Sequence, residues 1–266
     1  MTRWYCTLDA IKDELGETGT ANDKRLRRYI DAASRAIEDA TGRTFLPVTA
    51  TKYFDAPDCN DRLYLEHEDL LALTTLTDYT GTITSGYYWL YPLNLYPKHT
   101  IALDTDTLGR AFEYGDEPNK AITVVGRWGF CEDTAATGLT LAVAISSTTA
   151  TGITLSGAGC EVGWTLLVDS EAMFVTAVSG NVATLERGAN GTTAATHLIS
   201  TAVSRYVVPA DVEQAVLEMA LLSNNTRAAG GIREESIGEY KVSYGTSIDT
   251  PASLKRVISK YRRFAP

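Results

Sequence analysis

A chain of 266 residues with 44% apolar side chains is long enough for one large core or two ordinary ones, and its composition is that of a soluble globular protein. No run approaches the ~18 to 20 apolar residues of a membrane span, and the N-terminus enters charged, helix-like sequence without an apolar signal core. The formal charge of -9 speaks against the whole chain gripping nucleic-acid phosphates, which takes clustered Lys and Arg.

In chain order, Thr7 is placed to cap a short helix carrying Leu8, Ile11 and Leu15 on one face, with Gly16 stopping it in the left-handed region. A second helix runs from Asn22, with Leu26, Ile30, Ala33 and Ile37 recurring at helical spacing, Tyr29 and Ala36 alongside, and Gly42 past its end. Its other face, with Lys24, Arg27, Arg28, Asp31, Arg35 and Glu38, reads as a solvated side. Residues 44 to 130 turn to short β-prone runs: Lys52 to Phe54, Leu63 to Leu65, Leu73 to Thr77 and Ile122 to Val125, separated by turn formers. They predict a small antiparallel sheet packed on the helices.

Within that region, Tyr87, Tyr88, Trp89, Tyr91 and Tyr96 place more large rings in one span than a single strand can bury on one face. Either a loop covers the outer rings or they form an intersubunit contact, since Tyr and Trp concentrate where surfaces meet partners.

From residue 134 to 206 the composition shifts to Thr, Ala, Gly, Val and Ser with only six charged side chains. β-Branched or alternating runs at Leu139 to Ile145, Ile153 to Leu155, Trp164 to Val168, Met173 to Val178 and Val182 to Leu185, with turns at Ser179 to Asn181 and Asn190-Gly191, predict a small barrel or sandwich. Helical sequence resumes directly afterwards, so the block reads as a β domain inserted into a loop of a host domain. Pro209 opens a helix with Asp211 and Glu213 in its first turn and Val212, Ala215, Val216, Met219 and Leu222 on one face. A strand over Ile237 to Tyr244 follows, then a last helix over Pro251 to Phe264 with Leu254, Val257, Ile258 and Tyr261 as its stripe. That helix carries Lys255, Arg256, Lys260, Arg262 and Arg263 with no acid among them, the largest local departure from the acidic average.

Chemistry is hard to place. Cys6, Cys59, Cys131 and Cys160 lie far apart with no C-x-x-C spacing, so reduced thiols and no metal are expected. His67, His99 and His197 lack an i, i+4 partner, and the Glu66, Glu68, Asp69 cluster reads more simply as a turn edge than as an acid/base pair. There is no nucleophile elbow, phosphate loop or dinucleotide fingerprint; Gly157, Gly159 and Gly163 read as turns.

The flanks taken together resemble phage head-tail connector (adaptor) proteins. The resemblance lies in Tyr5 to Lys12, the Asn22 to Thr41 helix ending in Thr41-Gly42-Arg43-Thr44-Phe45, Ile122 to Gly129, Pro209 to Val216, and Ser236 to Tyr244 before a terminal helix. The insert resembles a β module of other phage structural proteins over Val168 to Gly180 and Glu186 to His197. The fold expected is therefore α+β: a helical bundle with a small antiparallel sheet over 1-133 and 207-266, discontinuous, plus an inserted all-β domain over 134-206.

The resemblance implies a structural virion protein of the neck, not an enzyme and without a cofactor, assembled in the host cytoplasm as a homo-oligomeric, dodecameric ring. The ring would dock on the portal protein and receive a stopper or tail-side connector protein, while DNA crosses the lumen without sequence-specific binding or a membrane partner. Lys255, Arg256, Lys260, Tyr261, Arg262, Arg263 and Phe264 would supply a basic, aromatic-ended segment for an acidic portal groove. The alternatives are a stopper or tail terminator, which should be mostly β at both ends, and a cell-wall hydrolase with a β binding insert, which would need a furnished cleft.

Overall fold

The computed structural model describes residues 2–57, 61–228, 234–237, 240–243 and 252–263. In order they form α1 (Leu8–Leu15), α2 (Asp23–Thr41), β1 (Val48–Phe54), β2 (Arg62–Tyr64), β3 (Leu70–Asp78), β4 (Gly81–Ile83), β5 (Tyr88–Tyr91), β6 (Thr100–Leu103), α3 (Thr105–Leu108) and β7 (Ile122–Trp128). The Thr-rich block supplies β8 (Thr134–Thr140), β9 (Gly152–Thr154), β10 (Thr165–Val168), β11 (Glu171–Ser179), β12 (Val182–Glu186) and β13 (Ala202–Tyr206). Then come α4 (Ala210–Ala228), β14 (Glu234–Ile237), β15 (Tyr240–Ser243) and α5 (Ala252–Tyr261). The fold class is α+β, as expected.

Contacts divide the chain into two compact units, one of Met1–Thr41, Ala135–Ala189 and Ala194–Arg262, the other of Gly42–Thr134, Asn190–Thr193 and Arg263–Pro266. This division follows packing and differs from the boundaries that composition marks. In the first unit, α2 packs against α4 and α5, and α4 against α5, so helices from the two chain ends share one bundle. Periodicity explains it: Leu26, Ile30, Ala33 and Ile37 of α2 meet a stripe of Val212, Ala215, Val216 and Ala220 on α4 and Leu254 and Val257 on α5, all buried. Each fully buried Leu, Ile or Val contributes roughly 1.5–3 kcal/mol.

The expected caps hold at α1, where Thr7 Oγ1 accepts from the Ala10 N–H at 3.1 Å and Gly16 stops the helix at φ 64°. In place of one strand at Ile237 to Tyr244 there are two, paired antiparallel with Ile237 opposite Tyr240. The β-prone run is continuous in sequence, which is why the split was not foreseen.

The same unit holds the β module, ordered β8-β13-β10-β11-β12-β9. Its edge strands meet just past their ends: Ala142 N–H donates to Thr154 O and Ser156 N–H to Thr140 O, both at 2.9 Å. These bonds close the sheet into a small barrel and remove its open edges. Inside lie Leu141, Ile153, Leu155, Val168, Met173 and Val175, among others. β12 alternates as a half-buried strand should, with Ala183 and Leu185 inward and Val182, Thr184 and Glu186 outward.

The module packs on the N-terminal helices. The Leu8 N–H donates to Val162 O at 3.1 Å, Arg27 Nη1 donates to Thr176 O at 2.6 Å, and the Trp4 and Phe174 rings meet edge-on at 5.4 Å. Gly163 sits under Trp4 at φ +105°, where an added Cβ would lie 2.8 Å from the indole; only glycine fits.

In the second unit β1-β7-β3-β4 form one antiparallel sheet and β2-β6-β5 another, two sheets where the sequence predicted one. Alternation marks strands but not their partners, which is why the split was invisible. Leu63, Leu70, Leu76, Ile101, Ile122 and Val124 are in their shared core. Asn190 and Gly191 both take positive φ, 53° and 78°, the backbone that an Asn-Gly turn favours, and Gly191 lies against Thr49 O where a Cβ would be 2.1 Å away. Among the described residues no helix is long and apolar enough to cross a membrane.

Candidate functional site

The basic terminal helix does not present all of its charges in the same way. Lys255, Arg256 and Arg262 are exposed. Lys260 Nζ donates to Asp211 Oδ2 at 2.8 Å, and Tyr261, buried, donates its hydroxyl to the same carboxylate at 2.9 Å. That pair of donors, against the opposing pull of burial, holds the Asp211 carboxyl below its usual range. In the second unit Arg263 pairs with buried Asp69, which also holds Arg43 at 2.6 Å. Phe264 lies outside the described residues. The segment is therefore tied down by Tyr261 and Arg263 and offers Lys255, Arg256, Arg262 and the outer side of Lys260.

The aromatic run divides by strand parity. Tyr88 and Leu90 face the core of the second unit, with Tyr87 packed beside them. Trp89 opposite Ala102, and Tyr91 and Tyr64 across from Thr100, share the outer face, where the Arg62 guanidinium sits 5.9 Å from the Tyr91 ring. Trp89 is 54% and Tyr96 66% exposed, and Leu93 and Leu95 continue the apolar surface. Lys98, itself buried, holds this loop by donating to Pro92 O at 2.6 Å and Leu93 O at 2.9 Å, with its ammonium over Tyr96. Trp89 and Tyr96 are thus available to a partner, Tyr91 is half-buried on the same outer face, and Tyr87 and Tyr88 are half-buried against their own core.

A polar cluster that sequence reading passed over lies inside the β module. Glu171, fully buried, accepts from Arg187 Nε and Nη2 at 2.7 Å each and from the Gly188 and Ala195 N–H groups at 2.9 Å each. His197 bridges it to Asp169, 2.9 Å from Glu171 Oε2 and 2.7 Å from Asp169 Oδ2. Burial pushes the Glu171 carboxyl up, but the Arg187 fork, the two N–H groups and His197 outweigh it and bring it down to about 2. With both oxygens occupied by internal donors, this carboxylate staples the loop between β12 and β13; it is not poised for proton transfer. The signal available in the sequence was scarcity: a block with six charges has few means of neutralising a buried one.

The other candidates disperse. Glu66 is exposed, Glu68 pairs with Lys52, and Asp69 turns inward to its arginines. His67 and His99 are exposed. Burial pushes the thiols of Cys6 up to about 12 and of Cys131 and Cys160 up to about 11, so they stay protonated and unreactive. Cys59 lies outside the described residues. Among the described residues no group of three or more His, Cys, Asp or Glu could hold a metal ion.

What the described residues offer is a helical bundle carrying a β barrel, a two-sheet unit, and exposed basic and aromatic side chains. Residues 5–67 match the family model of phage gp6-like head-tail connector proteins. The matched residues cover α1, α2, β1 and β2, where the N-terminal part of the resemblance was read. The C-terminal part of that resemblance lies beyond the matched residues. No curated protein sequence matches the chain. Among solved structures, a chain described as from the neck of an empty GTA particle computed with C6 symmetry is 14% identical at a TM-score of 0.44, the alignment covering 98% of this chain and 90% of that one.

Proposed function

We propose that the protein is the head-tail adaptor of a tailed phage, a structural component of the virion neck and not an enzyme. Copies assemble in the host cytoplasm into a dodecameric ring that docks on the portal, receives a stopper or tail-side component, and leaves a channel for DNA. The observation that carries this reading is the single bundle formed by α1, α2, α4 and α5, whose first two helices lie in the connector-family segment. Helices at both ends also favour an adaptor over a tail terminator. The Thr-rich block at 134-206 is, in this reading, a module carried between the two flanks of the adaptor core.

The exposed cations of α5 and its end, Lys255, Arg256, Lys260 and Arg262, form the portal contact, and Trp89, Tyr91 and Tyr96 an intersubunit contact. The test is native mass spectrometry and electron microscopy of the purified protein with and without portal. Closed rings, formed alone or on the portal, support the proposal, and a monomer indifferent to portal rejects it. Lys255→Glu with Arg256→Glu should weaken portal binding at least tenfold while leaving the fold intact.

A further inference from the structure

The first unit carries a basic cluster that is largely unpaired among the described residues. Lys24, Arg25, Arg27 and Arg28 crowd the first two turns of α2, the end where the helix dipole is already positive. With Trp4 and Asp31 they line a groove of about 650 Å³. Among the described residues only Arg27 reaches a partner, Thr176 O at 2.6 Å. Lys24 and Arg28 are exposed, and Arg25 Nε and the indole Nε1 of buried Trp4 are donors without an acceptor among the described residues. Four cations at a positive helix end, above unsatisfied donors, call for an anionic acceptor from outside.

The second unit carries the complement. Glu113, Tyr114, Asp116 and Glu117 form an exposed loop in which the nearby arginine, Arg110, is engaged by Asp78. The loop is held in shape: Tyr79 N–H donates to Glu113 O and Glu113 N–H to Asp78 Oδ2, both at 3.2 Å, and Gly115 lies against the Tyr79 ring. Tyr79 is 72% and Tyr114 48% exposed, and tyrosine faces and carboxylates are the surfaces on which guanidinium groups stack and fork.

We infer that the α2 groove receives the acidic, tyrosine-bearing loop of a second copy of this chain. The inference rests on the ring reading and deepens it, because a groove in one copy that takes a different surface of the next is a head-to-tail contact, the kind that closes rings. Rim charges of this sort steer assembly and weaken as salt rises.

Two charge-reversed proteins test it: Lys24→Glu with Arg28→Glu, and Glu113→Lys with Asp116→Lys, all exposed positions, with circular dichroism melts as the folding control. Alone, each should lose the assembled species in native mass spectrometry, and a 1:1 mixture should restore it, since alternating copies again set opposite charges face to face. A protein carrying all four changes should assemble by itself. Reversed variants that assemble like the parent overturn this contact and leave the ring reading standing, as does a mixture that stays unassembled. Loss of salt-dependent binding to a short DNA duplex in the groove variant, with unchanged assembly, would assign the groove to phosphate and overturn the inference. A parent protein that never assembles, even on portal, removes both.

Discussion

Replacing Arg187 by alanine removes the two 2.7 Å bonds to buried Glu171 and the bonds to Ala150 O at 3.0 Å and Ala195 O at 2.6 Å. The carboxylate stays buried with its strongest partner gone, a change that costs about 3–5 kcal/mol. Against the opposing burial, the whole cluster, Arg187 with the two N–H groups and His197, lowers the carboxyl to about 2, on the order of 3 kcal/mol of charge-dependent stability at neutral pH, of which Arg187 supplies a part. Calorimetry should show the transition of the unit holding the β module falling by roughly 6–20 °C. The sign with pH follows from the depressed value. The contribution of Glu171 is complete above the unfolded glutamate pKa and disappears as pH falls through the folded value near 2, so the gap between parent and variant should narrow between pH 4.5 and pH 2. A gap of under 1 °C at neutral pH, or one that is constant across that window, would refute the electrostatic account of this cluster.

Gly163→Ala forces a Cβ to 2.8 Å from the Trp4 ring at φ +105° and should cost roughly 1–3 kcal/mol in denaturant titrations, whereas the same change at Gly157, with a nearest atom at 3.6 Å, serves as the mild control. Tyr261→Phe removes the hydroxyl bonded to Asp211 at 2.9 Å and should destabilise by about 1 kcal/mol without altering ring mass; a disassembled ring would mean that Tyr261 serves a partner. Iodoacetamide at pH 8 should leave Cys6 and Cys160 unmodified in the native protein and label them after denaturation, read by peptide mass spectrometry, because burial holds their thiols at about 12 and about 11. Rapid native labelling at Cys6 would contradict its burial.

Local signals read true where they depend on neighbours in the chain. Thr7 and Gly16 bound α1, the Leu26, Ile30, Ala33, Ile37 spacing became the buried face of α2, and β9 to β12 fell close to their runs, whereas β8 lies ahead of the Leu139 to Ile145 run and β13 was not foreseen. The site was legible as a list of exposed or unusual side chains but not as an arrangement. Tyr88 and Trp89 are adjacent in sequence, yet strand parity and pairing with β6 send one to the core and the other outward. Lys260 and Arg263 looked alike as charges, but one pairs with Asp211, 49 positions away, and the other with Asp69, far earlier in the chain.

The sequence by itself determined the four longer helices, several of the strands, the abrupt compositional change near residue 134 and the N-terminal segment that the connector family model matches, because backbone preference and binary patterning act over a few residues. Only the tertiary structure decided that the strands within residues 44–130 form two sheets, that the β block closes through Ala142 and Ser156, and that Glu171, Arg187 and His197 meet. Each of those facts is a choice of partner across many intervening residues. Such choices are settled by which buried donors, acceptors and apolar faces can be satisfied together, and no local window of the chain contains both sides of that condition.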